Sequence, residues 1–259
     1  MFFLRGSSSN EEKDFPPAWR EILERRVPYF QRLPETTRRN LFPRILRFLR
    51  QVQFEGCGGL KITPEMQVTT AAYAAVLTLG EGVAFYPVLK SVLIYPDAFK
   101  PRVEEVDEAG VVHPVEEYQE GEYWNTGVVI FSWRDVRRDL RTVGPRNILF
   151  HEFAHELFDE TAFSFTDAAA SRRFVKLFHD AYRRHCESVE QGIETVLDPY
   201  GAEDEAEFFS VVTETFFEAP SHLYAYDAAL FEGFRDLYGQ DPREYGEDPR
   251  AHGSRRSRR

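Results

Sequence analysis

The chain has 259 residues, of which 42% are hydrophobic and 29% are charged, and this balance is typical of a protein that can bury a sizeable core. Its formal net charge of −11 would repel phosphate backbones, which argues against a nucleic acid as the main partner. The two cysteines, Cys57 and Cys186, are too few for a disulfide framework and favour a reducing compartment.

The ends of the chain and its apolar runs predict a protein that is not anchored in a membrane. Too few apolar residues precede Arg5 for a signal peptide, and the longest apolar run, 68–79, is too short to span a bilayer. We therefore expect a cytoplasmic protein. We also expect a disordered N-terminal tail over 1–13, a single domain over 14–246 and a basic disordered tail over 247–259.

The first part of the chain is expected to be helical. The segments PPAWREILERRV (16–27) and TTRRNLFPRILRFLRQVQFEG (36–56) place apolar residues at helical intervals between arginines, and TPEMQVTTAAYAAVLTLG (63–80) is also helix-like. The arginine clusters resemble a patch for nucleic acid, but the acidic net charge favours a solvated helix face.

Strand-like segments follow, and then helices return. LKSVLIYP (89–96), GVVHPVEEY (110–118) and TGVVIFSW (126–133) are short, rich in β-branched or aromatic residues, and bounded by Gly, Pro and Asp. Helical periodicity covers 147–159, 169–189 and 204–217. This order predicts an α+β fold that is mainly helical, with a small mixed sheet beside the helix at 147–159.

The helix at 147–159 carries the motif HEFAH, which is an HExxH pattern. Helical geometry puts His151 and His155 on one face, about 6 Å apart along the axis, so both imidazoles can bind one metal ion. Zinc accepts nitrogen ligands, and a catalytic zinc site keeps one position open for water. Glu152 could take a proton from that water and pass it to a leaving amine. The alternative is a pair of core histidines bonded to carboxylates of neighbouring helices.

A third protein ligand is expected from a later helix. Thr161 stands ten residues after His151, where a metzincin would carry its third ligand. The helix at 204–217 offers Glu207 and Glu214 on one face, with Glu203 one turn earlier. A glutamate from a second helix is the gluzincin arrangement, and spacing alone leaves the choice of glutamate open. Helical spacing also suggests that Glu214 bonds the other nitrogen of a ligand imidazole and orients the ring.

Four segments together resemble a known family. HEFAH, DPYGAEDEAEFFSVVTETFFEAP, LIYPDAF and GVVHPVEEYQEGEYWNTGVVIFSW are similar to the Mlc titration factor A family of zinc peptidases, peptidase family M90, over about 15–241. HEFAH followed by YGAEDEAEFF is more distantly similar to the catalytic domain of anthrax lethal factor. The resemblance implies a zincin-like fold, zinc held by His151, His155 and Glu207, and Glu152 as the general base.

The resemblance also implies roles for two further residues. It places His113 close to the metal, where it would cap or block the site in a closed resting form. It implies that Tyr200 stabilises the oxyanion of the tetrahedral intermediate. After the second histidine the family usually continues with Lys-Leu-Asp, whereas this chain reads ELFDETAFSFTD, so the lip of the cleft differs.

Two functional hypotheses follow from the motif and the resemblance. The first is a cytoplasmic zinc metallopeptidase, aminopeptidase-like, in which Glu152 activates water at the zinc to hydrolyse a peptide or protein substrate. The second is a regulatory protein that binds and sequesters a transcriptional repressor of the Mlc type, with zinc structural or switch-like. Neither hypothesis involves a nucleic acid or a membrane as partner.

Overall fold

A computed structural model describes residues 15–80, 83–97, 103–106, 112–115, 127–158, 168–246 and 248. For 103–106 and 112–115 it describes the backbone but not the side chains. The predicted tail at 1–13 and all of the tail at 247–259 except Asp248 lie outside the described residues, so both stay predictions.

Four helices form the first part of the chain: α1 (Pro17–Arg26), α2 (Pro28–Arg32), α3 (Glu35–Gln51) and α4 (Pro64–Leu77). Helix α3 buries Leu41, Ile45 and Phe48, which lie on one face because they are spaced four and three residues apart. Helix α4 is apolar on all sides and is buried among α1, α3 and a later helix that carries the HEFAH motif. The predicted helices at 16–27 and 63–80 are therefore confirmed.

The strands form two separate sheets. Strands β1 (Gln53–Gly56), β2 (Ser91–Tyr95) and β5 (Val128–Ser132) are parallel, in the order β1-β2-β5, and register Gln53 with Ser91 and Ser91 with Val128. Strands β3 (Val103–Val106) and β4 (Val112–Val115) form an antiparallel pair.

Two sequence predictions about the sheet are wrong. The sheet beside the HEFAH helix was expected to be mixed, yet in the described residues it is parallel. Its strands are joined by long connections, one of which contains α4, and such crossovers bring the chain back in the same direction. The segment 53–56 was expected to be helical, but it is strand β1. Its backbone pairs with β2, and helical periodicity within the segment cannot anticipate such a distant partner.

The second half of the chain is helical again. Its helices are α5 (Trp133–Asp139), α6 (Ile148–Phe158), α7 (Ala168–Glu190), α8 (Glu205–Glu218), α9 (Pro220–Tyr226) and α10 (Ala228–Tyr238), with 3₁₀ turns at Pro199–Ala202 and Pro242–Glu244. Helix α8 is central, and every residue from Glu207 to Phe217 is buried. Helix α6 contacts α4, α5, α8 and β5, which puts the HEFAH motif in the interior.

Aromatic rings fix α6 between its neighbours. The ring of Phe150 lies 4.9 Å from that of Tyr73 on α4, 4.8 Å from that of Phe217 on α8 and 5.1 Å from that of Tyr29 on α2, measured between ring centroids. These rings belong to one continuous cluster of buried apolar side chains. Within the described ranges, every helix is too short or too polar to cross a membrane.

Candidate metal centre

The start of α6 is held by polar side chains from two other helices. Asn147 caps the helix, because its Oδ1 accepts from the backbone N–H groups of Leu149 at 3.2 Å and Phe150 at 3.4 Å. Its Nδ2 donates to Glu218 Oε1 on α8 at 2.7 Å, while Asp139 of α5 accepts from another N–H of the first turn at 2.9 Å. An asparagine directly before an apolar helix is a recognised start signal, so the sequence itself contains the information that predicts this cap.

Helices α6 and α8 bring three side chains together at one point. His151 Nε2 lies 3.1 Å from His155 Nε2, and it lies 3.0 Å from Glu207 Oε2. His155 Nε2 lies 3.3 Å from Glu207 Oε1. Since one helical turn separates the histidines, both imidazoles point at the carboxylate that α8 presents.

These three residues fit a metal ion. Donor atoms bound at about 2.0–2.1 Å in a tetrahedral site are about 3.4 Å apart, close to the separations of 3.0 to 3.3 Å that the structure gives. Glu207 Oε2 is buried and has no hydrogen-bond partner in the described part of the chain, despite its closeness to His151. A buried carboxylate oxygen without a hydrogen bond is costly, and a cation would remove that cost.

The cluster is electrostatically coupled. Burial alone would lower the pKa of His151, but contact with the carboxylates of Glu207 and Glu214 raises it to about 10. Burial alone would raise the pKa of Glu207, yet the two histidines lower it to about 2. Burial lowers the pKa of His155. A bound metal ion would take the place of the proton on His151, because metal ligands must be deprotonated.

Glu214 lies behind the cluster. Its Oε1 is 2.8 Å from Nδ1 of His151, and its Oε2 accepts from the backbone N–H of Asn147. When His151 is neutral and donates from Nδ1 to Glu214, the lone pair of Nε2 is left free to bind a metal ion beside Glu207. Glu203, the third acid that the sequence offers, is exposed two residues before α8 begins and is absent from the group of converging ligand atoms.

A polar cavity of about 360 Å³ opens beside His151. Glu152 and Tyr200 both line it, and the ring centroid of Tyr200 is 6.1 Å from that of His151. Arg146 and Asp198 contribute an ion pair to the same wall, with Nε and Oδ2 3.5 Å apart. The candidate general base and the candidate oxyanion donor therefore face one space next to the ligand cluster.

His113 lies in β4, where its backbone pairs with that of Glu105. Its side chain is outside what the structure describes, so its proximity to the metal stays a prediction.

Comparison with known proteins finds relatives over most of the chain. The model of a family described as "Glucose-regulated metallo-peptidase M90" matches residues 4–239. An uncharacterized protein of Synechocystis sp. is 35% identical over 238 residues, which cover 89% of this chain and 86% of that protein. Mlc titration factor A of Klebsiella pneumoniae (strain 342) is 29% identical over 253 residues, or 93% of each chain. Mlc titration factor A of Yersinia pestis (strain Pestoides F) is 29% identical over 231 residues, covering 86% and 84%. The resemblance to the Mlc titration factor A family, peptidase family M90, is therefore confirmed.

Proposed function

Because the chain belongs to the glucose-regulated metallo-peptidase M90 family, we propose that it is a zinc-dependent peptidase of the gluzincin type with a zincin-like fold. One observation carries this proposal: the nitrogens of His151 and His155 converge with the carboxylate of Glu207 beside a cavity that Glu152 also lines. The motif supplies the two histidines and the acid between them, and the family supplies the reaction class.

The residues that would hold zinc are His151, His155 and Glu207. Two imidazole nitrogens and one carboxylate are a donor set of catalytic zinc sites, in which the remaining position stays open. When bound, zinc would supply Lewis acidity that polarises a peptide carbonyl and makes water nucleophilic near neutral pH.

Three other residues of the chain have roles in proton transfer, oxyanion stabilisation and access to the site. Glu152 accepts the proton of the attacking water and delivers it to the leaving amine. Tyr200 donates a hydrogen bond from its phenol to the oxygen on which negative charge develops. His113 caps the site in a resting form and moves aside for substrate. The two cysteines are unpaired, which fits the proposed cytoplasmic location.

Replacing Glu152 by glutamine tests the mechanism. The amide cannot accept a proton, so we expect peptide hydrolysis to fall by about 10²–10⁴-fold. Zinc content should stay at that of the wild type, because none of the three proposed ligands changes. The measurements are turnover of a peptide library and metal analysis of the purified proteins, before and after a chelator.

Glu190→Gln is the matched control, since Glu190 is an exposed acid at the end of α7, outside the cavity lining. It should keep both zinc and activity. Hydrolysis by Glu152→Gln at the wild-type rate would rule out the mechanism, and hydrolysis that survives complete removal of the metal would rule out the proposed zinc dependence.

A second candidate function is a regulatory protein that binds and sequesters a transcriptional repressor of the Mlc type. The names of the Klebsiella and Yersinia relatives favour it. Repressor binding that survives chelation and Glu152→Gln, together with no turnover of any peptide, would support the binder over the peptidase. Loss of binding in the chelated protein would instead make zinc a switch for the interaction.

A further inference from the structure

His185 is a buried histidine that the proposed mechanism does not use. It lies on α7 with 1% of its surface exposed, and its ring centroid is 5.5 Å from that of Phe208 on α8. A buried imidazole costs free energy unless its polar atoms are hydrogen-bonded, so the partner it takes is informative.

The imidazole bonds to the backbone of the turn that precedes α8. Its Nε2 lies 3.2 Å from the carbonyl oxygen of Asp198, and because a carbonyl only accepts, Nε2 must carry the hydrogen. Its Nδ1 is buried and has no hydrogen-bond partner among the described residues. Burial lowers the pKa of His185, which keeps the ring neutral near pH 7.

Asp198 in turn holds the 3₁₀ turn Pro199–Ala202. Its side-chain Oδ1 accepts from the N–H of Tyr200 at 3.1 Å, and its backbone carbonyl accepts from the N–H of Gly201 at 3.0 Å. A Cβ added to Gly201 would lie 3.3 Å from Nε2 of His185 and 3.4 Å from Cβ of Val211. The turn is therefore packed tightly between the imidazole and helix α8.

We propose that His185 is a positioning residue: by fixing the carbonyl of Asp198, it holds the turn so that the Tyr200 side chain faces the cavity beside His151. The inference rests on the proposed function, since it assigns Tyr200 to the reaction. It predicts a defect in turnover with little change in zinc affinity, because His185 does not touch the three proposed ligands.

Two substitutions separate the hydrogen bond from the packing. His185→Leu fills the space without a donor, whereas the amide nitrogen of His185→Gln can reach the place of Nε2. We expect kcat to fall about tenfold or more in His185→Leu, because a shift of about 1 Å in a catalytic group can cost about 10²-fold. His185→Gln should recover most of kcat, with KM and zinc affinity unchanged in both. His222→Leu, which changes an exposed histidine on α9, should behave as the wild type.

A double-mutant cycle tests whether His185 acts through Tyr200. In a Tyr200→Phe background there is no phenol to position, so His185→Leu should lower kcat no further. An equal loss in both backgrounds would overturn the proposal, and so would a drop in zinc affinity large enough to explain the loss of turnover.

Amide hydrogen exchange gives a readout that needs no activity. Exchange at the N–H groups of Tyr200 and Gly201 should speed up in His185→Leu and return toward the wild-type rate in His185→Gln. Unchanged exchange in His185→Leu would overturn the proposal. If the wild-type protein cleaves no peptide, the proposed function fails, and the exchange rates still decide whether His185 holds the turn.

Discussion

Glu214 uses both of its carboxylate oxygens on N–H donors, one on the His151 ring and one on the backbone of Asn147. An amide has only one acceptor oxygen, so Glu214→Gln must turn its NH₂ group toward one of these donors. We therefore expect zinc affinity to fall by about 10–100-fold, the usual effect of losing a partner that orients a ligand imidazole. Titration of the metal-free protein with zinc in the presence of a competing chelator measures this.

Glu218→Gln is the matched control for that experiment. Glu218 accepts from the side chain of Asn147, and glutamine keeps an oxygen that can accept there. Because the variant changes none of the three proposed ligands, it should bind zinc as the wild type does. Equal zinc affinity in Glu214→Gln and the wild type would remove the orienting role of Glu214.

The residues on α6 could be assigned from the sequence, because their relation depends on one helix alone. A spacing of four residues fixes His151 and His155 on one face before anything is known of the fold. Glu207 and Glu214 share a face of α8, so helical spacing alone cannot tell their roles apart. The way α8 crosses α6 decides that Glu207 lies against Nε2 of both histidines and that Glu214 lies against Nδ1 of His151. The block by His113 and the likeness to anthrax lethal factor stay predictions.

At the scale of elements, long amphipathic segments were predictable and short paired ones were not. The helices at 147–159, 169–189 and 204–217 are confirmed within a residue or two at each end, because each repeats its apolar pattern over several turns. Strand β1 has four residues and hydrogen-bonds to β2 across a long connection. The local sequence shows no trace of that partner.

Gly127, the residue before β5, is a position where both the backbone conformation and the close packing require glycine. Gly127 leads into β5 with φ +68°, its carbonyl accepts from the N–H of Lys90 at 2.8 Å, and an added Cβ would lie 2.3 Å from the carbonyl oxygen of Val88. Alanine there suffers both left-handed strain of about 1–2 kcal/mol and overpacking of about 1–3 kcal/mol. Urea unfolding should show both losses in Gly127→Ala.

Gly59→Ala measures the cost of the left-handed backbone strain alone. Gly59 has φ +80°, but an added Cβ meets no described atom within 4 Å, so this variant should lose only the strain energy. Equal losses at Gly59 and Gly127 would mean that the backbone before β5 shifts freely and that the close approach to Val88 costs nothing.

At the scale of the whole molecule, Arg32 joins the beginning of the chain to its end. Its Nη2 donates to the carbonyl oxygen of Phe217 at 2.6 Å, while Nη1 lies 3.8 Å from Glu218 Oε2 and 3.4 Å from Asp248 Oδ2. Glu218 in turn accepts from Asn147, the cap of the helix that carries the proposed ligands. A series of polar contacts therefore connects α2 to the end of α8 and, through Glu218, to the start of α6.

These contacts predict that the contributions of Arg32 and Glu218 to the free energy of unfolding are strongly coupled. Arg32→Met leaves a fully buried carboxylate without its cation, which typically costs about 3–5 kcal/mol. Glu218→Gln keeps an acceptor for Asn147 and removes the charge, so the double variant should be more stable than the sum of the single losses by about 0.5–3 kcal/mol. Urea unfolding of the four proteins measures the coupling.

Pairing Arg32→Met with Asp248→Asn should give a smaller coupling, because Asp248 is more exposed to water. If the losses of stability at Arg32 and Glu218 simply add, the coupling is absent. The guanidinium would then stabilise the protein through its hydrogen bond to Phe217 and its packing on the ring of Tyr29. The contacts of Arg32 would in that case be energetically independent of the cap on α6.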